Sequence, residues 1–289
     1  MIFLPSYFVI KPLYLSLVDK HPLQPSFMII PIYQVDAFTD QLFSGNPAAI
    51  CPLEYWPSDD ILQNIAAENN LPETAFFKKK DQLFEIRWFT PVAEVELCGH
   101  ATLATAHVLL NHLKFKGDHL IFESGFSGRL EVHKKDGYLT LDFPIDHLEP
   151  ALPPDHLFQA LGRKPLEIWK GKTDYLLYYP SQEDIEEIKP DFGLLKKIAT
   201  RGIIVTAPGY ECDFVSRFFA PYLGINEDPV TGSAHTSLVP FWAHRLSQLE
   251  FEARQLSARG GFLKCQLMGE RVLISGNACT YMIGSITLS

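Results

Sequence analysis

The sequence carries one plan twice, and this repetition limits the possible folds more than any other feature. Two segments each place an arginine and aromatic residues before a Phe-x-Pro step, and then a loop with acidic residues: 86–110 (IRWFTPVAEVELCGHATLATAHVLL) and 215–242 (VSRFFAPYLGINEDPVTGSAHTSLVPFW). Each segment ends in a turn of small residues that opens an apolar helix. Two matched halves predict a duplicated domain, with a small-molecule site where the copies face each other.

The remaining patterns predict an α+β fold. Strand signals outnumber helix signals and many are connected as hairpins, such as the two strands joined by KKDG, which does not suit a doubly wound parallel sheet. The proline-rich segment FPIDHLEPALPPD marks the domain boundary. We expect an N-terminal extension (1–27), a first domain (28–147) and a second domain (148–277). The last strand (278–289) is a candidate member of the first domain. A strand is also predicted at 255–258.

Composition narrows the class of partner and the compartment. The 289 residues carry a formal net charge of −9, which argues against nucleic acid and against an anionic membrane surface as partners. Five widely spaced cysteines without a CxxC motif favour a reducing cytoplasm over a disulfide framework or a zinc site. The apolar segment 1–27 is interrupted by Pro5, Lys11 and Pro12, so we interpret it as an extension rather than a signal peptide or membrane span.

The two helix-opening turns predict an anion site. A helix start presents backbone N–H groups that have no partner within the helix, and the helix dipole adds positive potential there. Gly99 and Gly232 would let a ligand approach the backbone closely, and Ser233 would add a hydroxyl donor. Ordinary helix capping explains either turn alone, but the repetition of the turn favours a binding role.

Three ionisable residues near these turns are candidates for proton transfer. His100 lies in the first helical turn, where the dipole disfavours the imidazolium and predicts a neutral ring. Asp228 precedes Pro229 and could orient a histidine or bind a substrate amine. Glu73 follows a helix and opens a strand beside aromatic residues, where partial desolvation suits acid–base work. The alternatives are a structural histidine for His100, a solvated turn acid for Asp228, and competition with Glu73 from Glu68, Glu94 and Glu96.

His107 lies one heptad after His100, on nearly the same helix face. No third potential ligand has usable spacing, so we interpret His107 as a packing residue and not as a metal ligand.

At these residues the chain resembles the PhzF (phenazine biosynthesis-like) family. The resemblance covers roughly residues 28–289 and rests on six segments: QVDAFTDQLFSGNPAAI (34–50), NNLPETAFF (69–77), RWFTPVAEVELCGHATLATA (87–106), EDPVTGSAH (227–235), RQLSARGG (254–261) and GERVLISGNACT (269–280). It implies two pseudo-symmetric domains of the diaminopimelate epimerase type, each a β-sheet or barrel wrapped around a central helix. It also implies a homodimer.

The resemblance further implies an isomerase that needs neither metal nor organic cofactor. The family's acid/base glutamate falls on Glu73, its supporting histidine on His100 and its aspartate on Asp228. The binding glycines fall on Gly99 and Gly232. The expected substrate is a small carboxylate.

Two alternatives stay open. Related epimerases and proline racemases use two opposed cysteines at these helix starts, whereas this chain has Cys98 at one and Thr231 at the other. A threonine hydroxyl is too weak an acid to replace a thiol near neutral pH, which disfavours two-base inversion. The second alternative is a ligand-binding or interaction protein that keeps the fold without turnover.

Overall fold

The computed structural model describes residues 28–288, so the predicted extension 1–27 lies outside the described part. The helices are α1 (Asp59–Asn69), α2 (Gly99–Asn111), α3 (Leu157–Leu161), α4 (Gln182–Glu186), α5 (Phe192–Leu195) and α6 (His235–Leu246), with short 3₁₀ helices at Pro221–Leu223 and Gly232–Ala234. The first strands are β1 (Met28–Ala37), β2 (Asn46–Leu53), β3 (Glu73–Lys80), β4 (Leu83–Phe89), β5 (Glu94–Val95), β6 (His119–Ser124), β7 (Gly128–Lys135), β8 (Tyr138–Pro144) and β9 (Glu149–Pro150). The later strands are β10 (Glu167–Lys170), β11 (Asp174–Tyr178), β12 (Gly202–Pro208), β13 (Phe214–Ala220), β14 (Ile225–Asp228), β15 (Glu250–Gln255), β16 (Gly261–Met268), β17 (Arg271–Gly276) and β18 (Ala278–Leu288).

The strand pairings repeat in the same order in the two halves. In the first half, β2 is parallel to β3, β3 antiparallel to β4 and β4 parallel to β6, and an antiparallel meander β6–β7–β8 follows. In the second half, β11 is parallel to β12, β12 antiparallel to β13 and β13 parallel to β15, and the meander β15–β16–β17 follows. The antiparallel pair β8–β17 joins the halves. The mixed sheet confirms the predicted α+β class and follows the repetition in the sequence.

Each half encloses one apolar helix. Helix α2 is buried almost all round, including Ala101, Leu103 and Val108, and α6 buries Leu238 and Trp242. A helix that is apolar on every face must be surrounded by protein, which explains why the strands wrap around these two helices. Both helices contribute to one continuous hydrophobic core. No helix within residues 28–288 has the length and apolarity needed to cross a membrane.

The repeated arginine has the same partner type in both copies. Arg87 donates through Nε to Glu94 Oε1 at 2.7 Å, and Arg217 donates through Nε to Glu227 Oε1 at 2.7 Å. Each guanidinium also lies near the ring of the aromatic residue two positions on. Each pair closes the loop between two antiparallel strands just before a helix start. The arginine and its acidic partner therefore have the same structural role in both halves, and we assign them no catalytic role.

One local prediction was wrong in detail. The strand expected at 255–258 is β15 (Glu250–Gln255), because Phe251, Ala253 and Gln255 alternate inward while Ser257 and Gly260 form a turn. The KKDG turn between β7 and β8 is as predicted, with positive φ at Asp136 (52°) and Gly137 (85°).

Candidate active site

The two helix starts open into one cleft. This cleft has a volume of about 460 Å³ and lies between the halves. It is lined by all six residues expected to catalyse or bind: Glu73, Gly99, His100, Asp228, Gly232 and Ser233. Phe143 and Phe218 provide apolar walls that suit the carbon skeleton of a small molecule.

The backbone at both helix starts is available to a ligand. The N-cap residues are Cys98 for α2 and Thr231 for the 3₁₀ turn that leads into α6, and neither side chain caps its helix. A Cβ added at Gly99 would come no closer than 3.8 Å to a neighbouring atom, and one at Gly232 no closer than 3.5 Å. Packing within the described protein therefore does not demand glycine at either position, and both residues line the cleft.

Glu73 and His100 lie in direct contact inside the cleft. Glu73 is the first residue of β3, and its Oε2 lies 3.1 Å from His100 Nε2. Both side chains are largely buried, at 12% and 6% exposure. Among the competing carboxylates, Glu94 pairs with Arg87 and Glu68 is exposed outside the cleft, whereas Glu96 lines the cleft but is exposed.

His100 corrects the expectation of a neutral ring. Burial alone would lower its pKa, but the adjacent Cys98 sulfur and the Glu73 carboxylate outweigh burial and hold the pKa of His100 well above its ordinary value. His100 Nε2 lies 3.1 Å from Glu73 Oε2, and His100 Nδ1 lies 3.5 Å from Cys98 Sγ. The expectation considered only the helix dipole, which acts as a partial positive charge. The full negative charge of Glu73, 3.1 Å from His100, has a larger effect on the pKa of His100 than that partial charge.

Cys98 is a buried thiol. Its side chain belongs to the main hydrophobic core, and burial together with the Glu73 carboxylate raises the pKa of the thiol. The thiolate that nucleophilic or base chemistry requires is therefore disfavoured near neutral pH. Cys98, Glu73 and His100 do bring three potential ligand atoms within 4.8 Å of one another, so this cluster is where a metal ion could be held.

Asp228 is the last residue of β14 and comes from the second half. Burial raises its pKa to about 6, although His100 and two hydrogen bonds act in the opposite direction. One of these bonds comes from the Thr231 hydroxyl, and Gln255 Nε2 donates to the Asp228 carbonyl at 2.7 Å. The residue that stands where related epimerases have a second cysteine is thus a hydrogen-bond donor to Asp228.

Asn46 links the two halves of the site, and the sequence analysis did not identify it as a site residue. Its Nδ2 donates to Asp228 Oδ1 at 2.8 Å and to the Val230 carbonyl at 2.9 Å. The same nitrogen lies 3.2 Å from His100 Nδ1. The asparagine lies within the SGNP segment that carries part of the family resemblance, which was the available signal.

The loop before Asn46 is held by an arginine from the second half. Arg259 donates through Nε to the Gly45 carbonyl at 2.8 Å and through Nη2 to buried Asp36 at 2.8 Å. Gly45 N–H donates to the Gly260 carbonyl at 2.8 Å. These contacts join the SGNP and RQLSARGG segments next to the cleft, although neither segment supplies a candidate base.

The other candidates are placed as follows. Ser233 Oγ accepts a hydrogen bond from Arg201 Nη1 at 3.0 Å. His107 lies with Nε2 3.0 Å from Thr280 Oγ1 and with Nδ1 3.1 Å from Asn111 Nδ2, as expected of a packing residue. Burial lowers the pKa of His107 to about 4.

Known proteins match the chain along the segments that build this cleft. The family model for PhzC-PhzF, phenazine biosynthesis-like protein, matches residues 35–284. An uncharacterized isomerase of Pseudomonas aeruginosa is 50% identical over 261 residues, covering 90% of this chain and 100% of that protein.

Solved structures extend the likeness to the fold. The crystal structure of a phenazine biosynthesis protein of the PhzF family from Enterococcus faecalis matches with a TM-score of 0.86 and 47% identity, covering 90% of this chain and 99% of that one. A probable proline racemase from Agrobacterium radiobacter has a TM-score of 0.62 at 11% identity, covering 90% and 93% of the two chains, and shares the fold alone. The chain therefore belongs to the phenazine biosynthesis-like (PhzC-PhzF) family and is an enzyme of the isomerase class.

Proposed function

We propose that this enzyme isomerises a small carboxylate by moving one proton between two of its carbons, without metal or organic cofactor. The observation that carries the proposal is the Glu73–His100 contact, with 3.1 Å between Oε2 and Nε2, inside a cleft that both helix starts face. The cleft volume of about 460 Å³ suits a ring-sized substrate, and a cyclic carboxylate that carries an amino group is the expected type.

The roles follow from the geometry. The Glu73 carboxylate removes a proton from one carbon, and the electron pair moves toward a substrate oxygen. The N–H groups at Gly99 and Gly232 bind the carboxylate and stabilise the oxyanion that forms. Glu73 then returns the proton to a second carbon. His100 offsets the charge of Glu73, and Asp228 positions the substrate amine.

A solvent-exchange experiment tests this mechanism. The protein is incubated in D₂O with a panel of small amino, hydroxy and dihydroaromatic carboxylates, and deuterium uptake and isomeric products are followed by mass spectrometry. Glu73→Gln keeps the shape of the side chain but removes the base, so turnover should fall by roughly 10²- to 10⁴-fold with ligand binding largely intact. Loss of binding together with turnover would contradict the role of Glu73 as the base.

The racemase alternative has a separate test. Thr231 donates its hydroxyl to Asp228, which leaves the second helix start without a free base. Cys98→Ala should spare a carboxylate mechanism and abolish a thiol mechanism. Overnight chelation with EDTA should leave turnover unchanged, since the proposal assigns no role to a metal. If no compound of the carboxylate panel exchanged deuterium, the result would favour the alternative of a binding protein without turnover.

The proposal includes a cytoplasmic location and a homodimer. All five cysteines are free, as suits a reducing compartment. Ile29, Phe43, Tyr281 and Ile283 are exposed apolar side chains on or near the β1–β18 pair, and they offer a surface for a second copy. Sedimentation at several protein concentrations tests the dimer.

A further inference from the structure

One charged side chain in the cleft has no role in the mechanism above. Arg201 immediately precedes β12, and its guanidinium lines the cleft beside Ser233. The guanidinium is held on three sides. It forms a two-point ion pair with Asp174, with Nε 2.9 Å from Oδ1; it donates through Nη1 to Ser233 Oγ at 3.0 Å; and its Cζ lies 5.6 Å from the Phe218 ring centre.

These contacts leave part of the arginine open to the cleft. Asp174 is 2% exposed, whereas the side chain of Arg201 keeps 35% exposure. A guanidinium has five N–H donors, and the bonds to Asp174 and Ser233 use three of them. Because the Ser233 oxygen accepts from Arg201, its own O–H proton is also free for another partner. An ion pair between Arg201 and Asp174 that served only the fold would not need the additional hydrogen bond to Ser233, which lines the cleft.

The free donors select a class of ligand. A planar fork of N–H groups matches the two oxygens of a carboxylate better than any neutral group does. The cleft also holds Glu73 and Asp228, whose charges repel an anion, and a helix start offers only about half of an elementary charge. Arg201 is the full positive charge that lies at the Ser233 end of this cleft.

We propose that Arg201, together with Ser233, anchors the substrate's carboxylate at the second helix start. With this anchor, the two helix starts have different roles. The carboxylate lies at Gly232 and Ser233, and the N–H groups at Gly99 remain for the oxyanion that develops beside Glu73. The inference rests on the proposed function, because it assigns the substrate class of the same site.

A matched ligand pair tests the anchor. Anthranilate and 2-aminobenzamide have nearly the same shape, but only the first carries a carboxylate. Dissociation constants are measured by isothermal titration calorimetry. We expect the wild-type protein to bind anthranilate more tightly, and Arg201→Met to weaken anthranilate binding by about ten- to a hundredfold with little effect on 2-aminobenzamide. Arg201→Lys keeps the charge without the planar fork and should fall between the two.

Two further variants keep the result interpretable. Arg201→Met leaves Asp174 buried without its cation, so the double variant Arg201→Gln/Asp174→Asn replaces the ion pair with an amide pair and preserves folding. Arg271→Gln is the matched control, because Arg271 pairs with Asp142 outside the cleft. The proposal is overturned if the folded double variant binds anthranilate as well as the wild type does, or if the wild type prefers the amide or binds neither compound at millimolar concentration.

The anchor and the proposed reaction fail separately. Glu73→Gln should keep the preference for anthranilate while deuterium exchange disappears. An Arg201-dependent preference without exchange by any variant would keep the anchor and reject the isomerase mechanism. Exchange that depends on Glu73 and is unchanged in the double variant would keep the mechanism and reject the anchor.

Discussion

At the scale of the single residue, Asp228 couples the site to the stability of the fold. Burial raises its pKa to about 6, from the ordinary value of 3.8 for an aspartate. As the pH rises through this window, the unfolded chain loses the proton first, so ionisation stabilises the unfolded state. The contribution of Asp228 is therefore present below about pH 4 and lost as the pH approaches 6. Two pKa units correspond to about 3 kcal/mol.

Asp228→Asn should remove this pH dependence. We expect the difference in unfolding free energy between wild type and variant to change by about 3 kcal/mol from pH 4 to pH 6.5, with the wild type losing stability. Urea unfolding at a series of pH values measures it. The pKa of His100 is raised above its ordinary value of 6.5, so the stabilisation that it contributes is present at pH values below 6.5. That contribution therefore stays nearly constant between pH 4 and pH 6.5. A difference that does not vary with pH would contradict the assignment.

At the scale of the element, the loop between β1 and β2 sets the position of Asn46. Gly45 has φ +67°, and an added Cβ would lie 2.2 Å from the Ala37 carbonyl oxygen and 2.7 Å from Thr39 Cγ2. A backbone oxygen cannot move aside cheaply, so the loop itself must shift. Because Arg259 holds the Gly45 carbonyl, such a shift would displace Asn46 from Asp228.

Two glycine substitutions separate conformational strain from the loop shift. Gly269 has φ +59° with no atom within 4 Å of an added Cβ. Gly269→Ala should cost about 1 kcal/mol from the left-handed backbone alone, whereas Gly45→Ala should cost about 3 kcal/mol or more and also reduce turnover. Chemical denaturation and the exchange assay report the two effects. Equal costs at both sites would show that the loop tolerates the shift.

At the scale of the whole molecule, the last strand completes the first half. Strand β18 is antiparallel to β1 along its full length, from the Met28–Leu288 pair to the Ala37–Ala278 pair. The first half therefore contains both ends of the described chain, while 148–277 lies between them in sequence. We infer that 28–147 with 278–289 forms one folding unit and 148–277 the other.

Deletion of residues 278–289 tests this division. The deletion would leave β1 without its partner on one side, so amide exchange should accelerate in β1 and its neighbour β2. Amides of β12, in the second half, serve as the internal control and should keep their protection. Hydrogen–deuterium exchange with mass spectrometry resolves the two regions. Equal loss of protection in both would contradict two separable units.

The local pattern of the sequence determined a large part of this protein. The repeated segments predicted the duplication, and periodicity predicted the α+β class and most elements, because those signals depend on neighbouring residues. Glu73, His100 and Asp228 could be chosen from helix starts and motif resemblance, and the structure brings them into one cleft.

Only the tertiary structure decided how these groups act on one another. Asn46 meets His100 across 54 positions of sequence and Asp228 across 182, and Arg201 meets Ser233 across 32. The raised pKa of His100, a residue of helix α2, depends in part on a carboxylate that comes from strand β3. Electrostatic energy depends on distance and burial, and neither is encoded by spacing along the chain, so the raised pKa of His100 and the contacts of Arg201 emerge only in the folded protein.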